Sequence, residues 1–296
     1  MNQRKTPFKG ILLTALTALL LAGSALAIGA PAVGDKCKGC HEDQVAAFAP
    51  NIHAKGGAYG VTGDVCESCH GKADTHVKSG DKAAIRNPSK LDEEAASATC
   101  LACHAKSKGQ MLWRGSAHEG QKLSCVSCHK VHGGNDKLLA KKLQGDLCFT
   151  CHSNVRADLY KRSKHRMRDA SSPSGEGKMT CSSCHNVHGA KGEKLIDAKS
   201  FNDKCFECHG EKKAPMLWEH SPVKEDCLTC HNSHGSSNDK LLATKVPRLC
   251  QQCHMQGRHQ TVTMGTNTVY ANNRGCLNCH SMIHGSNNPS GAVLQR

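Results

Sequence analysis

Cys125-Val126-Ser127-Cys128-His129, followed by His132 and Gly133, is the stretch on which the reading of this chain turns. Cys-x-x-Cys-His is the attachment signature of c-type haem. Its two thiols form thioethers to the porphyrin, and the adjacent imidazole ligates the iron from the proximal side. Two intervening residues let both sulfurs reach one porphyrin while the next side chain turns under the metal. A single Cys-x-x-Cys also serves redox and zinc sites, so one copy would decide little.

The chain holds ten copies. They are Cys37/Cys40/His41, Cys66/Cys69/His70, Cys100/Cys103/His104, Cys125/Cys128/His129 and Cys148/Cys151/His152. Cys181/Cys184/His185, Cys205/Cys208/His209, Cys227/Cys230/His231, Cys250/Cys253/His254 and Cys276/Cys279/His280 complete the set. Together they use all 20 cysteines and ten of the 20 histidines. The ten spare histidines are His53, His76, His118, His132, His165, His188, His220, His234, His259 and His284. Ten haem c groups and ten spare imidazoles form a full complement of distal ligands, histidine being the commonest metal-binding side chain. A disulfide scaffold or an array of zinc sites would not place a histidine after every second cysteine.

The chain opens with Arg4, Lys5 and Lys9, an apolar run from Ile11 to Leu21, and Ala25-Leu26-Ala27. This is the pattern of a secretory signal peptide over 1–27, too short for a membrane span and ending at a cleavage site. The expected mature chain, 28–296, is exported and starts near Ile28. Its 36 basic and 25 acidic residues give +11. Ten haems would bring about −20 through their propionates and about +10 as ferric centres, leaving the oxidised holoprotein near about +1 and the reduced one near about −9. The basic excess is matched by the cofactors, so a nucleic-acid partner is rejected.

Aromatic residues make up only 3% of the chain, too few for an ordinary core in a protein of this length. The expected fold is a multihaem cytochrome c, mostly irregular with short α-helices and little sheet, an extended chain of haems wrapped by polypeptide. The apo-chain should be largely disordered, its folding coupled to the cofactor.

The motifs group into five two-haem units, about 35–76, 98–133, 146–189, 203–235 and 248–285. In four of them one spare histidine lies between the motifs and the other closely follows the second motif; in the first, His76 trails by six residues and lacks the following glycine. Three residues reach at most roughly 10–11 Å, too little for His132 to swing round the porphyrin edge onto the iron of His129. A crossed pair within each unit is the economical arrangement: His132 on the Cys100/Cys103 haem and His118 on the Cys125/Cys128 haem. Asn135–Ala140 recurs as Asn238–Ala243, and more loosely as Gly192–Ile196, and these segments read as linkers. Met111-Leu112-Trp113 recurs as Met216-Leu217-Trp218, expected to pack on a haem face rather than to relay electrons. Repetition of this kind indicates an array of stacked units. Residues 77–98 read as an exposed helical or irregular insertion and 171–177 as a flexible loop. The basic run Lys161–Arg166 is expected to neutralise propionates or remain solvated.

With the ten motifs, the recurring Cys-x-x-Cys-His-x-x-His-Gly at 125–133, 181–189 and 227–235, and the ending His284-Gly285-Ser286-Asn287-Asn288-Pro289-Ser290-Gly291, the chain resembles the MtrA/DmsE-type decahaem cytochromes of Gram-negative bacteria over essentially its whole mature length. The resemblance implies a periplasmic electron carrier, often threaded into an outer-membrane β-barrel, with a periplasmic or inner-membrane redox partner and, in some systems, an outer-face multihaem cytochrome. Relatives serve iron reduction, iron oxidation and extracellular dimethyl sulfoxide respiration. Electron transfer without substrate chemistry follows from the ligand balance, since ten distal histidines leave no open iron. A soluble periplasmic shuttle is the alternative. A multihaem reductase would need a haem lacking its distal ligand, often marked by Cys-x-x-Cys-Lys, and no such variant occurs.

Overall fold

The computed structural model describes residues 34–133, 135–168, 177–213, 215–255 and 275–295. The expected signal peptide, most of the 171–177 loop and His259 lie outside them.

Short helices and 3-10 turns strung along irregular chain make up the described residues, and isolated β-bridges are their only extended pairing. Each motif is itself one helical turn. The amide of His129 donates to Cys125 O at 2.9 Å, and the same bond closes the motifs ending at His41, His152, His185, His209, His231, His254 and His280. Closing the turn places both thiols and the imidazole on adjacent positions of one small helix, as attachment to a single porphyrin requires.

Polar caps start these turns. The Asp64 carboxylate accepts from Cys66 N at 3.0 Å, Ser124 and Thr180 form capping boxes with Ser127 and Ser183, and Asp226 accepts from Leu228 N at 2.8 Å. Each satisfies amides that a helix this short could not pair internally. The longest helix among the described residues, Glu93–His104, is capped by Asp92 onto Ala95 N and carries Glu93 and Glu94 in its first turn, where the dipole favours them. It begins inside the segment read as an insertion and runs into the third motif. The rest of that segment forms a helix at Asp74–Ser79 and 3-10 turns at Lys82–Ala84 and Pro88–Lys90.

Buried apolar side chains are scattered. Phe48, Ala54 and Val65 cluster, with Val131 packed against them, while Trp113, Phe149, Leu159, Ile196 and Leu294 are buried elsewhere along the chain. Among the described residues the buried apolar side chains form no continuous core.

Candidate functional site

Nine of the ten motif histidines face one spare histidine each: His41–His76, His70–His132, His104–His53, His129–His188, His152–His118, His185–His234, His209–His165, His231–His284 and His254–His220. Their ring centres lie 5.9–6.5 Å apart. Near-parallel rings in face contact would sit about 3.5–4 Å apart, yet His231 and His284, tilted by only 15°, stand at 6.2 Å. An imidazole nitrogen lies about 2 Å from a metal it binds and about 1 Å from its own ring centre, so two rings across one metal have centres about 6 Å apart. The spacing and one-to-one matching fit a bis-imidazole iron at every pair.

This pattern overturns the crossed pair in the units for which it was derived. His132 faces His70 rather than His104, and His118 faces His152 rather than His129. The trailing histidine of each later unit reaches back to the second motif of the unit before, as His188 does to His129 and His234 to His185. The intervening histidine reaches forward to the first motif of the next unit, as His53 does to His104 and His165 to His209. Only the trailing half of the crossing survives, at the first unit, where His76 faces His41 while His53 faces His104 of the next unit. Chain length correctly excludes the adjacent motif but sets no preference between a histidine's own unit and a neighbour stacked beside it.

Short antiparallel contacts hold the neighbours together. Ser163 and Ser236 exchange backbone hydrogen bonds at 2.9 and 2.8 Å, as do Trp218 and Ser286 at 3.0 and 2.9 Å. In both cases the first residue lies two before an intervening histidine and the second two after a trailing one. The glycine of His-Gly belongs to the same junction. A Cβ on Gly189 would collide with the Leu112 carbonyl, and one on Gly235 with the Asp158 carbonyl. Only glycine lets the strands approach this closely. Met111-Leu112-Trp113 thus passes over the His188-Gly189 turn, with Trp113 buried against His188 at 6.4 Å between ring centres. The buried Trp113 Nε1–H has no partner among the described residues, a donor suited to an acceptor that the polypeptide does not provide.

A second pattern lies in the Nδ1 atoms. An imidazole that binds metal through Nε2 carries its proton on Nδ1, and a carbonyl facing it can only accept. The even-numbered motif histidines His70, His129, His185, His231 and His280 donate to Arg86, Lys137, Lys194, Lys240 and Val293 carbonyls at 2.5–3.0 Å. At the odd-numbered motifs the spare histidine is anchored instead. His76 donates to Asp81 O at 2.8 Å, His118 to Val187 O at 2.8 Å and His165 to Ser233 O at 2.8 Å. His53 donates to the Asn51 side chain at 3.1 Å. His220 Nδ1 faces the Ile283 carbonyl without a well-formed hydrogen bond. In eight of the nine pairs one imidazole is anchored, the exception being His220–His254, and the anchored side alternates along the chain.

The repeated segments read as linkers are therefore part of the site. Lys137-Leu138, Lys194-Leu195 and Lys240-Leu241 all take left-handed φ of 52–60°, which turns the lysine carbonyl back onto its own unit's motif histidine. Sequence reasoning saw the repetition and missed its purpose. It also missed Asn186 and Asn232, whose side chains accept from the His188 and His234 amides and bend each trailing histidine into place. Of the basic run, Lys161 and Arg162 pair with Asp158 and Asp239 at 2.5 and 2.7 Å, so carboxylates already occupy two of its charges.

Within each unit the first cysteines of the two motifs meet: Cys37 with Cys66, Cys100 with Cys125, Cys148 with Cys181, Cys205 with Cys227 and Cys250 with Cys276. Burial, with Asp64 beside it, pushes the Cys66 thiol up to about 12, and burial beside Cys227 pushes Cys205 up to about 11. No disulfide forms among the 20 cysteines.

The second cysteines are enclosed unevenly. Cys40, Cys103, Cys151, Cys208 and Cys253 of the odd-numbered motifs are exposed, and so is Cys279 of the tenth. Cys69, Cys128, Cys184 and Cys230 of the other even-numbered motifs are half-buried, as all ten first cysteines are. The contact inside each unit covers the first cysteines. Exposure does not bar these six thiols from attachment, because a thioether forms only where the porphyrin can reach the sulfur.

Burial lowers the pKa of His53, His132, His188, His220, His234 and His284, and the facing imidazole adds to it. That keeps them neutral, the form that ligates metal. Motifs thus touch through sulfur within a unit and through imidazole links between units, giving an unbroken series.

Comparison with known proteins gives relatives of the same character. The doubled CXXCH motif family matches residues 172–214 and 220–259, and the NrfB-like cytochrome c-type protein family matches residues 66–151. Multiheme cytochrome MtrA of Shewanella baltica (strain OS185) is 40% identical over 281 residues, covering 90% of this chain and 82% of that protein. The high-molecular-weight cytochrome c of Nitratidesulfovibrio vulgaris (strain Hildenborough) is 29% identical over 143 residues, 40% of this chain and 25% of that protein. Cytochrome c-type protein NrfB of Haemophilus influenzae (strain Rd) is 25% identical over 130 residues, 36% of this chain and 53% of that protein.

Proposed function

Because the chain belongs to the MtrA family of multihaem c-type cytochromes, proteins that transfer electrons through covalently attached haem c, we propose that it is a ten-haem wire carrying electrons between the periplasm and the cell exterior, across the outer membrane and inside a β-barrel partner. The observation that carries the wire is the set of nine facing histidine pairs, one for each motif from the first to the ninth. The twenty motif cysteines attach the haems, the exposed Cys40, Cys103, Cys151, Cys208, Cys253 and Cys279 among them. The motif histidines are the proximal ligands and the facing histidines the distal ones. His259, the remaining spare imidazole, is assigned to His280, which repeats at the far end the crossing of His76 onto His41.

Bound haem c supplies a one-electron ferric/ferrous couple at each pair. With haem bound, the two imidazoles of each of the nine pairs would both ligate the iron, one of them held through Nδ1 in all but the His220–His254 pair. That would leave no iron position for substrate there and supports an electron carrier rather than an enzyme. Two imidazoles without an axial methionine give low potentials. Direction of flow is set by the potentials of the partners, a periplasmic or inner-membrane donor or acceptor on one side and an outer-face multihaem cytochrome or external iron on the other. No described helix is long and apolar enough to cross a membrane, so the proposed crossing relies on a barrel, whose wide lumen is polar and accepts a plug. A soluble periplasmic shuttle feeding a reductase is the second reading, favoured by the match of residues 66–151 to NrfB-like proteins.

Gentle detergent extraction of outer membranes tests the location. A stable one-to-one complex with a barrel protein is the expected result. Recovery from the soluble periplasmic fraction alone would replace the conduit with the shuttle.

A further inference from the structure

Asn51 is buried, 7% exposed, and every polar atom of its side chain is used. Its Oδ1 accepts from the His53 amide at 3.0 Å and from His53 Nδ1–H at 3.1 Å, while its Nδ2 donates to the Val131 carbonyl at 2.5 Å. The two ends of the amide are told apart by this chemistry, since one meets two donors and the other an acceptor. Val131 immediately precedes His132 and packs on the Phe48, Ala54 and Val65 cluster.

The other junctions lack such a side chain. His118 donates directly to Val187 O, next to His188, and His165 donates directly to Ser233 O, next to His234. By that rule His53 would donate to Val131 O. Asn51 is inserted between them instead. It stands two residues before His53, at the position held by Ser116, Ser163, Trp218 and Gly257 before the other intervening histidines. A link made directly from imidazole to backbone carbonyl at the second and third junctions is here made by a side chain.

We propose that Asn51 is a positioning residue that anchors the distal ligands of two adjacent haems at once, His53 of the third and His132 of the second, and so sets the potential of the third haem through His53 Nδ1–H. This rests on the axial pairing proposed above. A stronger acceptor on Nδ1–H makes an imidazole more basic and favours ferric iron, and loss of the acceptor does the reverse.

The test compares His53→Ala, Asn51→Asp and Asn51→Leu in the full haem-loaded protein, with haem count checked by mass, by electron paramagnetic resonance and a spectroscopic redox titration. His53→Ala is expected to turn one haem high-spin. Asn51→Asp, nearly isosteric, should lower the potential of that same haem by about tenfold in its ferric/ferrous equilibrium constant, about 59 mV for one electron. Asn51→Leu should raise it by a similar factor, each change integrating to one haem. Should Asn51→Leu fail to load, the downward shift in Asn51→Asp decides alone. If His53→Ala leaves every haem low-spin, the axial pairing fails and the role of Asn51 with it. If His53→Ala behaves as expected but Asn51→Asp leaves the third haem unshifted or moves it upward, the pairing stands and the role of Asn51 is refuted. A shift of the same sign in both variants, the mark of loosened packing alone, would refute it equally.

Discussion

Replacing His132 with alanine separates two arrangements of the axial ligands. The ring centres of His132 and His70 lie 5.9 Å apart, close to the about 6 Å that two imidazoles across one metal require. Deleting the His132 ring leaves the haem of Cys66 and Cys69 with a single axial nitrogen and every other haem intact. About one tenth of the ferric haem should turn high-spin, read by electron paramagnetic resonance or by the visible spectrum. Repeating the substitution in a Cys66→Ala/Cys69→Ala background locates the effect. That background lacks the second haem, so His132→Ala should add no further high-spin signal there. A high-spin signal that persists in it would mean that His132 serves another haem, such as that of Cys100 and Cys103, and would refute the assignment between units.

Mass spectrometry of the holoprotein should show ten haem additions on a chain starting near Ile28; a smaller number would break the match of ligands to irons. Gly235→Ala should cost about 1–3 kcal/mol through overpacking against the Asp158 carbonyl, read as a lower denaturant midpoint, whereas Gly210→Ala, which meets nothing within 4 Å, should leave it unchanged. Lys194→Pro locks φ near −65° where the native value is 52°. It should swing the carbonyl off His185 Nδ1 and raise the potential of the Cys181/Cys184 haem by about tenfold in its ferric/ferrous equilibrium constant, seen as a one-haem shift in a redox titration.

Much of the site was legible because its chemistry is local. Cys-x-x-Cys-His closes a single helical turn, so spacing alone brought two thiols and an imidazole together in the reading, and a near absence of aromatic residues pointed to a fold without an ordinary core. Which thiols the chain covers was not legible, because the exposure of Cys40 and Cys151 beside the half-buried Cys69 and Cys128 is a property of the folded chain. Nor was the pairing of His132 with His70. It is a contact between residues 62 apart in sequence, decided by how units stack, and chain length only sets an upper limit on reach. Left-handed turns at Lys137, Lys194 and Lys240 escaped for a different reason. A lysine at positive φ has no sequence signature, and only the threefold recurrence of Lys followed by Leu near a motif hinted that the backbone carbonyl mattered. Glycine after His188 and His234 was visible as a pattern, but its cause, a carbonyl from the preceding unit pressed against it, exists only in the folded chain.

The exchange of histidines between units changes what a unit is. Each junction is crossed twice and in opposite directions, by His53 and His132 at the first, His118 and His188 at the second, His165 and His234 at the third, and His220 and His284 at the fourth. With iron at each pair, no two neighbouring units can separate without breaking two axial bonds. In an ordinary repeat array, stability is a sum of repeat terms and nearest-neighbour terms, and cooperativity rises with the neighbour terms. Here nearly all distal ligation is a neighbour term. Denaturant unfolding followed through the low-spin haem spectrum should therefore be one transition. Removing both links at the first junction, with His53→Ala and His132→Ala together, should release the first unit as a separate, earlier phase. The single substitutions leave one link each and should lower the midpoint without splitting the transition. Unfolding of the unsubstituted protein in steps of about two haems would show five independent units and defeat this account.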